Sequence, residues 1–377
     1  MNKNVNKKIL ILSASAGGGH TQAAEALVKT AQRDFPNSTV VHKDILDLSP
    51  KYFKRFYAGI YKWIVKKHHT LWHYIYHLTD KQPIESLSNK IRRFFERTHT
   101  FGLDRFIKDF TPDAIICTHF MPVEIFSKQI RQNRLNIPVW VQITDFDAHR
   151  FWLHPHMNGY FAANDEVAHR LEAYGIEKDR ITVAGIPIRP QFSDKLSRTD
   201  CARELNLNPD KPTLLLMAGG EGVIELDKIA ERLLNKNTDL QVITVCGKNK
   251  KLFGRMQAVS DNFKGRIANI GFSTEIEKLM TASDFAVTKA GGLTTSECLA
   301  MGLPMIIISP IPGQEERNAF YVTETGAALV ACDLNVLEMK VKMLSDNKEL
   351  LKSMKKNALK ISRPFAAQKV LKTVLGI

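Results

Sequence analysis

Three short segments carry residue types that could do chemistry. The first is Gly17-Gly18-Gly19-His20. Glycines there let a ligand approach the backbone, and a helix starting after them aims free N–H groups at negative charge. A dinucleotide fingerprint would need glycine three residues after Gly19, where the chain has Gln22, so nicotinamide binding is not indicated. His20 adds a side chain that can exchange a proton beside this loop, although alone it reads equally well as a helix-start residue. The second segment is Lys289-Ala290-Gly291-Gly292-Leu293-Thr294-Thr295-Ser296-Glu297. An apolar run meets a double glycine and then a helix start, which can hold a diphosphate on backbone N–H groups. Glu297 falls about one turn in, where it could accept hydrogen bonds from a ribose diol; the plainer alternative is a capping carboxylate. The third segment runs from Thr144 to Trp152 and contains Asp145, Asp147 and His149. Its Asp-Phe-Asp spacing is formally that of a carboxylate pair holding a divalent cation.

The elements that must position these segments are legible as apolar runs. Ile9 to Leu12 ends at the first glycine loop, and Thr213 to Met217 ends at Ala218-Gly219-Gly220. Continuous apolar runs that end in glycine turns and feed helices are buried parallel strands. After the first opening come VVHKD, AIICTHF, VWVQITD, YFAAN and ITVAG; after the second come QVITVCG, IANIGF, FAVTKA, MIIISP and ALVA. The alternation with helical stretches predicts an α/β protein with two doubly wound, Rossmann-like sheets in tandem. Gly185-Ile186-Pro187-Ile188-Arg189-Pro190 reads as a stiff linker. The expected division is residues 1–188, residues 189–360, and a final helix, 361–377, set off by Ser362-Arg363-Pro364 and sent back toward the first domain.

At 377 residues, with 44% hydrophobic and 24% charged residues, the chain can fill two such cores. Its formal charge of +14 favours anionic partners. Residues 51–110 hold 13 Lys/Arg against 5 Asp/Glu and so carry +8 of that excess. Within them, Phe53, Phe56, Tyr57, Ile60 and Ile64 share one helical face while Lys51, Arg55, Lys62 and Lys66 share the other. An aromatic face opposed by a basic one suits a helix lying in a lipid interface. No run approaches the roughly 18 apolar residues of a spanning helix. The start, MNKNVNKKILIL, lacks the long apolar core of a signal peptide. The expected place is therefore peripheral, on the cytoplasmic face of a membrane. Five cysteines without paired spacing indicate neither a disulfide scaffold nor a zinc site. No nucleic-acid motif accompanies the charge.

The second segment continues through Gly302-Leu303-Pro304 to Gln314-Glu315-Glu316-Arg317-Asn318-Ala319. In this order the pieces resemble the nucleotide-sugar half of the GT-B glycosyltransferases of family 28. The Thr144-Asp145 and His149-to-Trp152 spacing, the glycine-histidine loop and the proline linker resemble one branch of it. That branch holds the monogalactosyldiacylglycerol synthases and processive diacylglycerol glucosyltransferases, and the likeness spans Ile9 to about Asn318. It implies two domains facing a cleft. It also implies an inverting hexosyltransferase that uses UDP-glucose or UDP-galactose as substrate, diacylglycerol or a glycosyl-diacylglycerol as acceptor, and no cofactor or metal. By the same resemblance Asp145 is the expected base, with His20 and Asp147 as other candidates. Gly18, Gly19, His149 and Trp152 would meet the acceptor. Arg189, Gly219, Gly220, Phe272, Gly291, Gly292, Leu293, Thr294, Glu297, Gln314, Glu315 and Asn318 would hold the UDP-sugar, the diphosphate resting on Arg189 and helix N-termini. The Asp145/Asp147 triplet would then be coincidental. Two other functions fit parts of the pattern: N-acetylglucosaminyl transfer to an undecaprenyl-linked peptidoglycan precursor, and a UDP-sugar-binding regulator without turnover.

Overall fold

The computed structural model of the protein describes residues 6–15, 17–50, 102–154, 156–217 and 225–377. The amphipathic stretch Lys51 to Lys67 and the glycines Gly219 and Gly220 lie outside the described residues. The chain divides into two compact units. One comprises residues 1–190, 312–314 and 364–377, the other residues 191–311 and 315–363.

The first unit is built on a six-stranded sheet ordered β2-β1-β3-β4-β5-β6. Its strands are β1 (Lys8–Ser13), β2 (Thr39–Asp44), β3 (Ala114–Cys117), β4 (Val139–Gln142), β5 (Gly159–Ala162) and β6 (Ile181–Val183). All five pairings are parallel. Ile9, Leu10, Ile11 and Leu12 are fully buried, as the uninterrupted apolar run requires when helices cover both faces. Because β1 lies between β2 and β3, successive crossovers leave β1 in opposite directions. Ligands of such sheets bind where the strand order reverses, beyond the carboxyl ends. Here that point is flanked by the loop after Ser13 and by Thr118 and His119.

Helix α1 (Gly18–Asp34) packs on this sheet through Ala24, Leu27 and Ala31, and helix α2 (Phe120–Arg131) follows β3. The last helix of the chain (Ala366–Leu375) belongs to the same unit. It sets Ala367, Val370, Leu371, Val374 and Leu375 into the cluster with Ile9, Ile11 and Leu27, at the spacing of one helix face. Gln368 Nε2 donates to Asp34 Oδ2 at 2.6 Å and Lys7 Nζ to the Leu375 carbonyl at 3.0 Å, fixing both ends.

The second unit carries a six-stranded sheet ordered β12-β11-β10-β7-β8-β9. The strands are β7 (Thr213–Met217), β8 (Gln241–Val245), β9 (Ile267–Ile270), β10 (Phe285–Thr288), β11 (Met305–Ile308) and β12 (Ala328–Ala331). This order reverses between β7 and β10, so the predicted ligand position lies beyond Met217 and Thr288. Asp284 fixes the opposite ends of the same two strands, accepting from the Thr213 N–H at 2.9 Å and from Arg198 Nη2 at 2.7 Å. Among the described residues no helix is long and apolar enough to cross a membrane.

Candidate functional site

In the first unit the glycine loop opens α1. Gly17 has φ 148° and ψ 150°, a conformation closed to residues with a Cβ. Gly18 and Gly19 are exposed, and a Cβ on Gly19 would meet nothing within 4 Å. The fold therefore does not require glycine at 19, and the space above it is open. His20 follows, half-buried, with Nδ1 2.9 Å from the Thr118 carbonyl and 2.8 Å from Thr144 Oγ1. Burial lowers its pKa from 6.5 to about 4, against the hydrogen bond to Thr118, which raises it. His20 is thus a neutral imidazole at physiological pH.

Around it stand aromatic rings drawn from two strand ends. The His119 ring meets His20 edge-on at 4.6 Å between centroids, and Trp152 lies 6.0 Å away. Phe120 stacks on His119 at 4.2 Å and reaches Phe151 at 5.3 Å. His119 Nδ1 accepts the Met121 N–H at 3.1 Å, capping α2. Burial, and then His20 beside it, hold its pKa well below the usual value. His149 is buried and its Nδ1 accepts the Phe151 N–H at 3.1 Å. It caps the short turn Arg150–Trp152 and so orients Trp152, itself buried.

The two aspartates of the third segment part company. Asp145 is half-buried and follows directly on Thr144, the residue that reaches His20. Asp147 is buried, with Oδ1 2.7 Å from Arg170 Nη1. A carboxylate oxygen committed to a guanidinium is already occupied, which makes it a poor partner for a cation shared with Asp145.

In the second unit the residues beyond β10 form the turn foreseen from sequence. Gly291 caps helix Gly292–Ala300 with φ −67° and ψ 137°, torsions that any residue adopts. A Cβ there would meet nothing within 4 Å, and no side chain caps the helix start. Gly292, Leu293 and Glu297 are buried, and Thr294 is half-buried one turn from the cap. Asn318 is fully buried and donates from Nδ2 to the Ala290 carbonyl at 2.9 Å. It supports the turn from behind. Glu315 Oε2 accepts the Ile311 N–H at 2.7 Å, and burial pushes its carboxyl pKa upward. Gln314 opens helix Gln314–Glu324 and is half-buried. Phe272, after β9, is 64% exposed, with Lys248 Nζ 5.2 Å from its ring centroid. Arg189 is half-buried, one residue before the last residue of the first unit's long segment.

The structure thus brings His20, Trp152 and the Thr144-Asp145 pair together in one unit. It brings Gly291 to Glu297 and Asn318 together in the other. Thr118, His119 and Phe120 join the first group without having been singled out from sequence, and Thr144, named there only as part of a motif, joins it as a partner of His20. Their signal was position: each lies just past the carboxyl end of an apolar run, in AIICTHF and VWVQITD.

Residues 20–188 match the monogalactosyldiacylglycerol (MGDG) synthase family, and residues 218–370 match the glycosyltransferase family 28 C-terminal domain. The chain is 31% identical to a processive diacylglycerol beta-glucosyltransferase of Bacillus licheniformis, over 99% of this chain and 95% of that one. To the enzyme of the same name from Bacillus subtilis it is 30% identical, over 99% and 96%. Among solved structures it is similar to MurG of Acinetobacter baumannii, with a TM-score of 0.65, 18% identity, and 98% and 100% of the two chains covered. It is also similar to the UDP complex of MnaA from S. aureus, with a TM-score of 0.62, 16% identity, and 98% and 96% covered. These likenesses give the two-domain α/β architecture of the GT-B glycosyltransferases. With the full-length identity to the two Bacillus enzymes and both family matches, the chain belongs to the monogalactosyldiacylglycerol synthase and processive diacylglycerol glucosyltransferase family.

Proposed function

We propose that this protein moves a hexose from UDP-glucose or UDP-galactose to diacylglycerol or a glycosyl-diacylglycerol, inverting the anomeric carbon and using no metal. The observation that carries this reading is the likeness, over 99% of the chain, to enzymes named for glucosyl transfer to diacylglycerol. The site residues give it a chemistry. The acceptor hydroxyl attacks the anomeric carbon from the face opposite the UDP. An oxygen–carbon bond forms, the bond from that carbon to the diphosphate oxygen breaks, and UDP leaves with the electron pair. The hydroxyl proton passes to His20 at Nε2 and later to water.

His20 suits this role because it is neutral before the reaction and sits at the switch point of its sheet. We assign Asp145, next along the chain from the residue that holds His20, to favouring the imidazolium as it forms. Gly18, Gly19 and Trp152 would border the acceptor, with His149 acting through Trp152. On the donor side the uncapped start of the Gly292 helix suits a diphosphate, and Arg189 would add a fixed cation. Glu297 would take the ribose, Phe272 the uracil, and Gln314 and Glu315 the sugar. Leu293 and Asn318 would keep the turn in shape. The Asp147–Arg170 pair favours the metal-free form of the reaction.

The aromatic-and-basic sequence pattern of residues 51–67 and the local excess of positive charge support docking on an anionic membrane surface. The fold likeness to MurG keeps a peptidoglycan-type acceptor in view as the second reading. One competition experiment separates them. Radiolabelled UDP-glucose, UDP-galactose and UDP-N-acetylglucosamine are offered with dispersed diacylglycerol and an undecaprenyl-linked precursor together. Label is expected in the glycosyl-diacylglycerol fraction from one hexose donor. Label confined to the undecaprenyl product would establish the second reading, and no UDP release from any pair would point to a regulator.

A further inference from the structure

His20 is held at one nitrogen by groups from two other strand ends. The Thr118 carbonyl, just past β3, lies 2.9 Å from Nδ1, and Thr144 Oγ1, just past β4, lies 2.8 Å from the same atom. A carbonyl oxygen can only accept, so Nδ1 carries the hydrogen. A neutral ring has one N–H, and Nε2 is left with the lone pair. Histidine in water prefers the other tautomer, so the site reverses a solution preference. Thr118 also returns a bond, its hydroxyl donating to the His20 carbonyl at 2.9 Å, so ring and backbone are both fixed.

The neighbouring His119 is set the opposite way. Its Nδ1 accepts a backbone N–H, leaving its own hydrogen on Nε2. Two neutral histidines of unlike tautomer therefore meet edge-on. Thr144 is buried at 5% exposure, so little solvent competes for its hydroxyl.

We propose that Thr144 is a positioning residue for transfer, its hydroxyl oxygen acting with the Thr118 carbonyl to hold His20 as the Nδ1–H tautomer and keep Nε2 as the proton-accepting nitrogen. The proposal rests on the reading of His20 given above. When Nε2 takes the acceptor's proton, the ring becomes a cation and its Nδ1–H still points at two oxygens. Hydrogen bonds from a charged donor are roughly twice as strong as neutral ones, so both tighten as the reaction proceeds. At Nδ1 the two neutral oxygens take the orienting part that a carboxylate takes behind the histidine of a hydrolase triad, while the charge-balancing part stays with Asp145.

The test uses the full chain labelled with nitrogen-15 histidine, as wild type and as Thr144→Val and Thr144→Ser, with His20→Gln to assign the His20 signals. Long-range proton–nitrogen spectra read the tautomer without any substrate. In the wild type and Thr144→Ser, His20 should show a protonated Nδ1 and an unprotonated Nε2. In Thr144→Val the Nε2–H form should appear, and kcat should fall about 10- to 100-fold with the KM for UDP-sugar unchanged. Serine should restore both readouts. Three outcomes overturn the proposal: an Nε2–H tautomer in the wild type, an unaltered kcat in Thr144→Val, or equal losses of Tm and kcat in valine and serine alike. A chain that transfers hexose with His20 as Nε2–H refutes the tautomer alone. A chain with the Nδ1–H tautomer and no hexose transfer to any acceptor refutes the proposed function, and the role of Thr144 with it.

Discussion

Burial and hydrogen bonding pull on His20 in opposite directions, and burial wins, leaving its pKa about 4. The acid limb of kcat/KM reports the free enzyme's base. It should therefore lie well below pH 6, with activity flat from pH 6 to 8. An acid limb near 6.5 would mean that a solvated histidine is the base. The same shift acts on stability. A histidine whose folded pKa is depressed binds protons more readily when unfolded, so stability falls as pH drops below 6.5 and levels off near 4. A drop from 6.5 to about 4, at about 1.4 kcal/mol per unit, amounts to roughly 3 kcal/mol from His20. Thermal melts of wild type and His20→Gln between pH 7 and pH 4.5 should show the mutant losing less Tm on acidification. His20→Gln should also lower kcat by about 10²- to 10⁴-fold, the usual worth of a positioned proton acceptor. At this scale the sequence marked His20 as one candidate base, because three glycines precede it, and put Asp145 first by resemblance. It concealed Thr118 and the contact of Thr144 with His20, which exist only because β3 and β4 are adjacent. It also made Asp147 look available, since nothing in the local pattern shows that Arg170, on the helix after β5, returns to pair with it.

The turn after β10 and the closing helix can each be tested as elements. Gly291 has ordinary torsions and open space where a Cβ would go. Gly291→Ala should thus leave the Tm without ligand unchanged or slightly raised, since alanine restricts the unfolded chain. If backbone N–H groups at this turn approach a diphosphate, the added methyl should raise the Kd for UDP about tenfold, as calorimetry would show. An unchanged Kd would place the nucleotide elsewhere. In the closing helix, Leu371 is fully buried against the β1 and α1 core. Leu371→Ala should cost about 2–5 kcal/mol, read as a lower denaturation midpoint. The inner strands were legible because burial on both faces writes β1, β3, β7, β10 and β11 as apolar runs, while the partly exposed edge strands β2 and β6 show weaker patterns. The reach of Asn318 back to Ala290 was not, because a buried asparagine and a ligand-facing one have the same local sequence.

For the whole molecule, the positive charge gathered in residues 51–110 gives binding a predictable salt response. Co-sedimentation with vesicles containing anionic lipid should weaken steadily from 0.1 to about 0.5 M salt, as screening shortens the reach of the basic side chains. Binding to neutral vesicles should be weaker throughout. The two-domain architecture and the branch of the family were readable from motif order alone. The charge pattern could suggest an anionic partner, but the lipid acceptor was expected only from the motif resemblance, which the full-length likeness to the Bacillus enzymes supports. The most direct measurement incubates the full chain with UDP-glucose or UDP-galactose and diacylglycerol in vesicles containing excess EDTA, and identifies the lipid product and its anomeric configuration by mass spectrometry and NMR. The account predicts a β-hexosyl-diacylglycerol from one donor, formed equally well with the chelator. An α-linked product, or a β-linked one that forms only when magnesium is restored, would contradict it.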